Sequence, residues 1–215
     1  MRNLMLRLAV ICCIVACAGD FVVTFILGAM YPGYDLIRDS ESYLGTSGSP
    51  VAHLMNLWSV FFFLFLLLFA VGLGLTKLRQ GFWEGVLVWL IAAYGAGEGL
   101  GSGLFPYDHV NGALTTSGTL HSISGAIGGT AVVFIPLVCL KIFPRKNYPG
   151  FGAYCMFTFF NGLFFIILFL LAHRGIIPYK GLLQRIFIFN YHVFIMMMAL
   201  LISRNLPERA RSPGT

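Results

Sequence analysis

The sequence predicts an all-α integral membrane protein, a bundle of six transmembrane helices with both termini in the cytoplasm. Three observations carry that reading. Of the 215 residues, 58% are hydrophobic and 10% charged, where a soluble domain has about 25% charged. Mean hydropathy is +0.85. Second, six apolar stretches reach the ~20 residues that cross a bilayer: Leu6–Met30, Val51–Leu75, Trp83–Leu104, Thr116–Ile142, Phe151–His173 and Leu183–Ser203. They are too long and too continuously apolar for barrel strands, which alternate over ~10 residues. Third, the basic residues stand at the ends of these stretches and divide unequally between the two sides.

With the N-terminus inside, the inner side carries Arg2, Arg7, Lys77, Arg79, Lys141, Arg145, Lys146, Arg204, Arg209 and Arg211. The outer side carries Arg38, Arg174, Lys180 and Arg185. Lys and Arg are retained on the cytoplasmic side of membrane proteins. The excess therefore places both termini inside, as an even number of spans requires. The cell membrane is the expected location, a bacterial inner membrane in particular. The net charge of +6 reflects this topology. Without a run of Lys or Arg it does not point to nucleic acid.

The first stretch begins "MRNLMLRLAVICCIVACAGD". Its basic start resembles a signal peptide, and "IVAC" resembles a lipoprotein cleavage box ending at Cys17. The apolar run continues through "FVVTFILGAM", well past an h-region of 7–15 residues. An uncleaved first helix is expected. Residues 1–205 then form one transmembrane domain, and 206–215 a short disordered cytoplasmic tail.

The inner connections, "TKLRQGF" and "PRKNYPG", are short. The outer ones, "YPGYDLIRDSESYLGTSGSP", "FPYDHVNGALT" and "RGIIPYKGL", are longer and richer in polar residues. In the third stretch "GAGEGLGSG" places Gly95, Gly99 and Gly103 four apart, and Gly97 and Gly101 likewise. Gly125 and Gly129 repeat the spacing in the fourth. Small residues at this interval let helix backbones approach in lipid, so the third and fourth helices should form a close pair. No strand precedes the glycines and no Lys-Ser/Thr follows, so they are not a phosphate loop. The five cysteines lie inside apolar stretches with no CxxC spacing. They are expected as buried thiols.

Ionisable groups in a membrane interior cost about 2.5–3.5 kcal/mol each on insertion scales and should face the bundle interior. Asp20 lies about ten residues from the outer end of the first helix, ~15 Å deep at 1.5 Å per residue. Glu98, His121 and His192 also fall in the outer halves of their helices, and His53 sits at the mouth of the second. The inner half holds essentially none. Ser117 and His121, four apart, share a helix face. Pro106 should stop the third helix, and Thr115 or Thr116 should cap the fourth. Arg185, opening the sixth, could pair with Asp108 or Glu41 or grip a lipid phosphate.

These residues define an outer polar pocket with Asp20, Ser42, Glu98, Asp108, His121, Arg185 and His192 as its candidates. Carboxylates and histidines from several helices could hold a metal that activates water. Asp20, Glu98, His121 and His192 are the candidate donors. Haem is not expected, since two haems need four inward histidines and at most three point inward here. There is no HExxH and no GxSxG.

The elements "SESYLG", "GLFPYD", "TLH" and "LLQR", in this order and at these helix positions, resemble a family of bacterial and archaeal six-helix membrane proteins. That family is catalogued as domain of unknown function 998. The resemblance falls on Ser42, Leu44 and Gly45; on Phe105, Pro106 and Asp108; on Leu120 and His121; and on Gly181, Gln184 and Arg185. Gln184 stands where an acid is common in the family. The resemblance implies a multi-pass membrane protein and no established activity.

The leading functional expectation is a pocket that binds an ion, a proton or a lipid headgroup. A metal-dependent hydrolase acting at the outer leaflet is the second, and a structural membrane protein without a site is the third. Whether the chain is an enzyme is left open by the sequence. Membrane lipids are the expected partners, with a small ligand or ion beside them.

Overall fold

A computed structural model describes residues 2–75 and 81–209. Lys77, Arg79, Arg211 and the end of the expected tail lie outside the described residues. Nearly everything described is helical. The long helices are α1 (Arg2–Met30), α2 (Ala52–Gly74), α3 (Phe82–Tyr94), α4 (Thr116–Ile142), α5 (Pro149–His173) and α6 (Lys180–Arg209). Helices are what a bilayer demands, because every backbone N–H and C=O must be satisfied within its own segment. Five of them, all but α3, are long and apolar enough to cross a membrane. The chain is that of a multi-pass membrane protein.

The third stretch is helical along its length but changes type. After α3, residues Gly95–Gly101 form a π-helix, and Ser102–Leu104 a last α-turn before Pro106. The last helix also runs further than expected. It continues through residues 206–209, which the sequence reading assigned to a disordered tail.

The six helices form a closed ring in chain order, each touching its sequence neighbours, with α6 returning to α1. One half of the interior is apolar, built around Leu66, Phe69, Ile91, Ile135, Phe194 and Met198. The outer surface is apolar as well. Val22, Phe25, Trp89, Phe134, Phe164 and Ile167 are all exposed, as a lipid-facing belt requires. Cys13, Cys17, Cys139 and Cys155 are buried free thiols, and Cys12 is half-buried.

The glycines divide between two neighbours. A methyl group on Gly99 would stand 2.8 Å from the Phe63 nitrogen and the Ser59 oxygen of α2. Gly95 and Gly103 also face α2. Gly97 instead meets Gly128 and Ser124 of α4, and Gly101 meets Ser124. Residues two apart lie on opposite sides of a helix, so an every-second-residue run packs both flanks. This corrects one expectation. Helices three and four are close, but through Gly97, Gly101 and Gly128. Gly99 serves α2, and Gly125 has only the Glu98 carboxyl oxygens nearby, at 3.8 and 3.9 Å.

At one end of the ring the three long connections interlock. Residues Glu41–Gly45 form a short 3₁₀ turn. Ser47 donates its backbone N–H (2.8 Å) and its hydroxyl to the Asp108 carboxylate. Lys180 Nζ donates to the Tyr43 hydroxyl at 3.3 Å and lies over its ring. The Leu182 N–H donates to Ile37 O. Between α3 and α4 a two-residue hairpin pairs His109–Val110 with Ala113–Leu114. Its turn is Asn111-Gly112, both at positive φ (52° and 79°), as a type I′ turn needs.

Candidate functional site

Beneath the interlocked loops lies a cavity of about 70 Å³ whose lining includes Asp20, Glu41, Ser42, Asn56, Glu98 and His121. Each is placed by a local device. Ser42 and Glu41 ride on the 3₁₀ turn. Its backbone is held by α6, where the Gln184 side-chain oxygen accepts the Glu41 N–H at 2.8 Å. Glu98 stands at the centre of the π-helix, a wider turn that recurs at functional sites. His121 is placed by α4, whose start is capped by Thr115 accepting the Gly118 N–H at 3.1 Å. One turn earlier on the same face, Ser117 donates to Pro106 O at 3.0 Å.

The His121 ring makes two contacts. Its Nδ1 is 2.8 Å from Phe105 O, and its Nε2 is 3.2 Å from Ser42 Oγ. A carbonyl only accepts, so Nδ1 carries the hydrogen. In the neutral ring Nε2 is therefore an acceptor facing the Ser42 hydroxyl.

Deeper in the ring a second polar set joins four helices. Trp58 Nε1 donates to Asp20 Oδ1 at 2.9 Å. Asp20 Oδ2 is 3.9 Å from His192 Nδ1, and the Asp20 side chain is 14% exposed. His192 Nε2 is 2.7 Å from the Tyr94 hydroxyl. His192 is fully buried, with Phe62 and Phe21 against its ring.

Arg185 is buried under the connection between α1 and α2. Its Nη1 donates to Leu36 O (2.6 Å) and Asp39 O (3.0 Å), and its Nη2 to the Tyr34 hydroxyl (2.6 Å). Gly181, one turn before, lets that loop lie against α6, since a methyl group there would stand 2.6 Å from Leu36 O. Arg185 Nε is 3.6 Å from Glu41 Oε1, with both side chains over nine-tenths buried. Neither atom has a hydrogen-bond partner among the described residues. Burial pushes the Glu41 carboxyl up to about 8, helped by Asp20 and Glu98 and opposed by Arg185. Burial likewise lifts Tyr34 to about 12, against the pull of Arg185.

Beside the cavity a groove of about 520 Å³ runs between α4 and α5, with α6 behind it. Ser42, Glu98, His121, Gln184, Phe187 and Ile188 line both spaces. From Ser122 to Phe134 the groove follows α4, a rise of ~18 Å at 1.5 Å per residue. That is close to one leaflet of a ~30 Å hydrocarbon core. Thr130, Phe134 and Leu170 in its lining are exposed on the ring's outer surface, so the groove opens sideways.

Of the residues singled out in the sequence, Asp20, Ser42, Glu98 and His121 line one cavity. His192 stands behind it through Asp20 and Tyr94. Arg185 pairs with Glu41, one of its two expected ion-pair partners, and not with Asp108. Asp108 departs from expectation. It clasps Ser47 between two loops and does not line the cavity. The four candidate metal donors are not gathered into one set. Among the described residues no group of three His, Cys, Asp or Glu side chains could hold a metal ion. Asp20 is engaged by Trp58, and His121 by Phe105 O and Ser42. His53 is exposed at the start of α2, and His173 is exposed at the end of α5.

Sequence reasoning passed over Trp58 and Tyr94, and it named Glu41 only as a partner for Arg185, not as a cavity residue. Tyr94 lies four residues before Glu98, on the same face, and Glu41 immediately precedes Ser42. Those spacings carried the signal.

The chain matches the family described as "Protein of unknown function (DUF998)" over residues 14–201. It belongs to the DUF998 family. The match spans α1 to α6 and so covers the cavity, the groove and the loops above them. No curated protein and no solved structure matches the chain. In this DUF998 protein the Gly181-x-x-Gln184-Arg185 element reads the backbone of the α1–α2 connection. Gln184 does so with its side-chain oxygen, an acceptor that a carboxylate at the same position would also offer.

Proposed function

We propose that this DUF998 protein spans the membrane six times with both termini cytoplasmic. In this reading the ring's outer chamber binds the headgroup of a membrane lipid whose hydrocarbon chain lies in the groove. The observation that carries the reading is the shared wall. Six residues line both a small polar cavity and a leaflet-deep apolar groove, the two halves of an amphiphile's surface. An ion alone would not need the groove.

The chamber's charge narrows the headgroup. Asp20, Glu41 and Glu98 face it, while Arg185 spends its Nη donors on Leu36 O, Asp39 O and Tyr34. With Glu41 holding its proton near neutral pH, the carboxyl oxygens of this chamber still accept from an amine and offer no cation to an anionic headgroup, so a headgroup bearing an amine is favoured. The metal-dependent hydrolase is not favoured, because three of its four donors have other partners: Asp20 has Trp58, His121 has Phe105 O and Ser42, and His192 has Tyr94. A purely structural role accounts for the Trp58–Asp20 and His192–Tyr94 contacts but not for an apolar groove that shares its wall with a polar cavity.

Native mass spectrometry from lipid nanodiscs tests this. The parent protein retains a bound lipid, and a chain-matched amine amphiphile displaces it better than a carboxylate. Ala126→Trp, which fills the groove wall, loses the lipid. Equal retention by parent and Ala126→Trp would overturn the reading.

A further inference from the structure

We propose that Ser42 and His121 form a nucleophile–base pair that transfers the acyl chain of an ester lipid lying in the groove. The inference rests on the lipid-binding reading above and adds chemistry to it. Four observations lead there.

The first is tautomer. Phe105 O fixes the hydrogen on His121 Nδ1, which leaves the Nε2 lone pair 3.2 Å from Ser42 Oγ. A serine hydroxyl is a weak nucleophile until a base within hydrogen-bond reach takes its proton, and that base must itself be oriented by a third group. Here the third group is a backbone carbonyl. It sits next to Pro106, at the point where the helical run after α3 has ended.

The second is rigidity. Ser42 stands on a turn tied to α6 by the Glu41 N–H to Gln184 bond, and His121 on a capped helix. The pair is held by scaffold on both sides. The third is access. Both residues line the chamber and the groove, so a carbonyl carbon at the headgroup end of a groove-bound chain comes to the Ser42 hydroxyl. The fourth is an available donor. Because Gln184 accepts through its side-chain oxygen, its NH₂ group is left to the cavity wall, where it can donate to a carbonyl oxygen that gains charge.

The steps balance. Ser42 Oγ attacks the ester carbonyl carbon while its proton passes to His121 Nε2. The bond from that carbon to the headgroup oxygen breaks, and the proton moves from Nε2 to the departing alcohol. A water molecule then attacks the acyl carbon and gives a proton to Nε2. The Ser42–acyl bond breaks, Ser42 recovers the proton, and a fatty acid is released.

The probe is an alkyl fluorophosphonate, which forms a stable bond only with an activated serine. It is applied to the full chain in nanodiscs, with the adduct mapped by peptide mass spectrometry. We expect one adduct, on Ser42, absent in Ser42→Ala. It forms at least about 100-fold more slowly in His121→Gln, the scale of a lost general base. Lipid retention by native mass spectrometry is read on the same samples. A parent protein that retains lipid but takes no adduct overturns the acyl-transfer inference and leaves the binding reading standing. An adduct on another residue, or an unchanged rate in His121→Gln, overturns it too. Loss of both lipid and adduct removes both readings. If Ser42→Ala does not fold, the mapped site in the parent protein and the pH dependence of its labelling rate decide. The rate should rise with pH as His121 becomes neutral, and a flat profile overturns the pair.

Discussion

Gly97 and Gly128 meet backbone to backbone. A methyl group on Gly97 would stand 2.5 Å from the Gly128 nitrogen, and one on Gly128 would stand 2.8 Å from the Glu98 nitrogen. This contact sets how closely α4 lies against the π-helix, and so how far Glu98 reaches toward the chamber. Alanine normally gains up to about 1 kcal/mol over glycine within a helix. Here the added methyl strikes backbone, which cannot rotate away. Gly97→Ala and Gly128→Ala should each destabilise by about 1–3 kcal/mol, the usual scale of overpacking. Gly125→Ala meets only the Glu98 carboxyl oxygens, at 3.8 and 3.9 Å, ordinary van der Waals distances, and should be neutral or stabilising. Thermal unfolding in detergent distinguishes the three, and equal midpoints would remove the packing role.

The Trp58–Asp20 bond makes a second prediction. Trp58→Phe removes the donor 2.9 Å from Asp20 Oδ1 and leaves a largely buried carboxylate oxygen unpaired, at a cost of about 1–3 kcal/mol. Removing both polar partners is cheaper than removing one. In an Asp20→Leu background the same Trp58→Phe change should therefore cost much less. A double-mutant cycle of unfolding midpoints measures the difference. Strict additivity would mean that the bond contributes nothing.

Glu41 predicts a pH dependence. Its carboxyl is raised from an ordinary 4.5 to about 8 by burial. Between those values the folded protein holds a proton that the unfolded chain has released. Stability from this group is thus fully present below 4.5 and is lost as pH rises toward about 8. The melting midpoint of the parent protein should fall across that window. Glu41→Gln, which stays neutral, should fall less. Parallel pH profiles for the two proteins would show that Glu41 titrates normally.

Long apolar stretches made the fold readable. Their length and their flanking charges require helices, and the helices were found where expected to within a few residues. The candidate cavity was half readable. Asp20, Glu98 and His121 stood out because charge inside an apolar run has a large cost, and Ser42 through its resemblance element. Tyr94 and Trp58 did not, because an aromatic ring in a membrane helix is ordinary until its polar atom is seen to meet a carboxylate or an imidazole. Asp108 was misplaced for a related reason. A loop aspartate can turn toward the cavity or toward another loop, and only the tertiary fold shows that Ser47 claims it. The hairpin at Asn111-Gly112 carried a legible turn signal, hidden by the shortness of its two-residue strands.

The interlocked loops turn membrane orientation into a two-site test. Ser47 with Asp108, and Lys180 with Tyr43, tie all three long connections to one end of the ring. Arg7, Lys141, Arg145, Lys146 and Arg204 belong to the opposite end, at the other termini of α1, α4, α5 and α6. A label on any one long connection therefore reports for the other two. Val110 is 62% exposed on the hairpin, and Asn147 is exposed between α4 and α5. Only α4 separates them. The native thiols are buried or half-buried within helices and give little background. If basic residues are retained inside, Val110→Cys reacts with an impermeant maleimide in intact cells, and Asn147→Cys reacts only after the membrane is opened. The reverse pattern would invert the protein and turn the chamber toward the cytoplasm. Labelling of both sites in intact cells would mean that α4 does not cross at all.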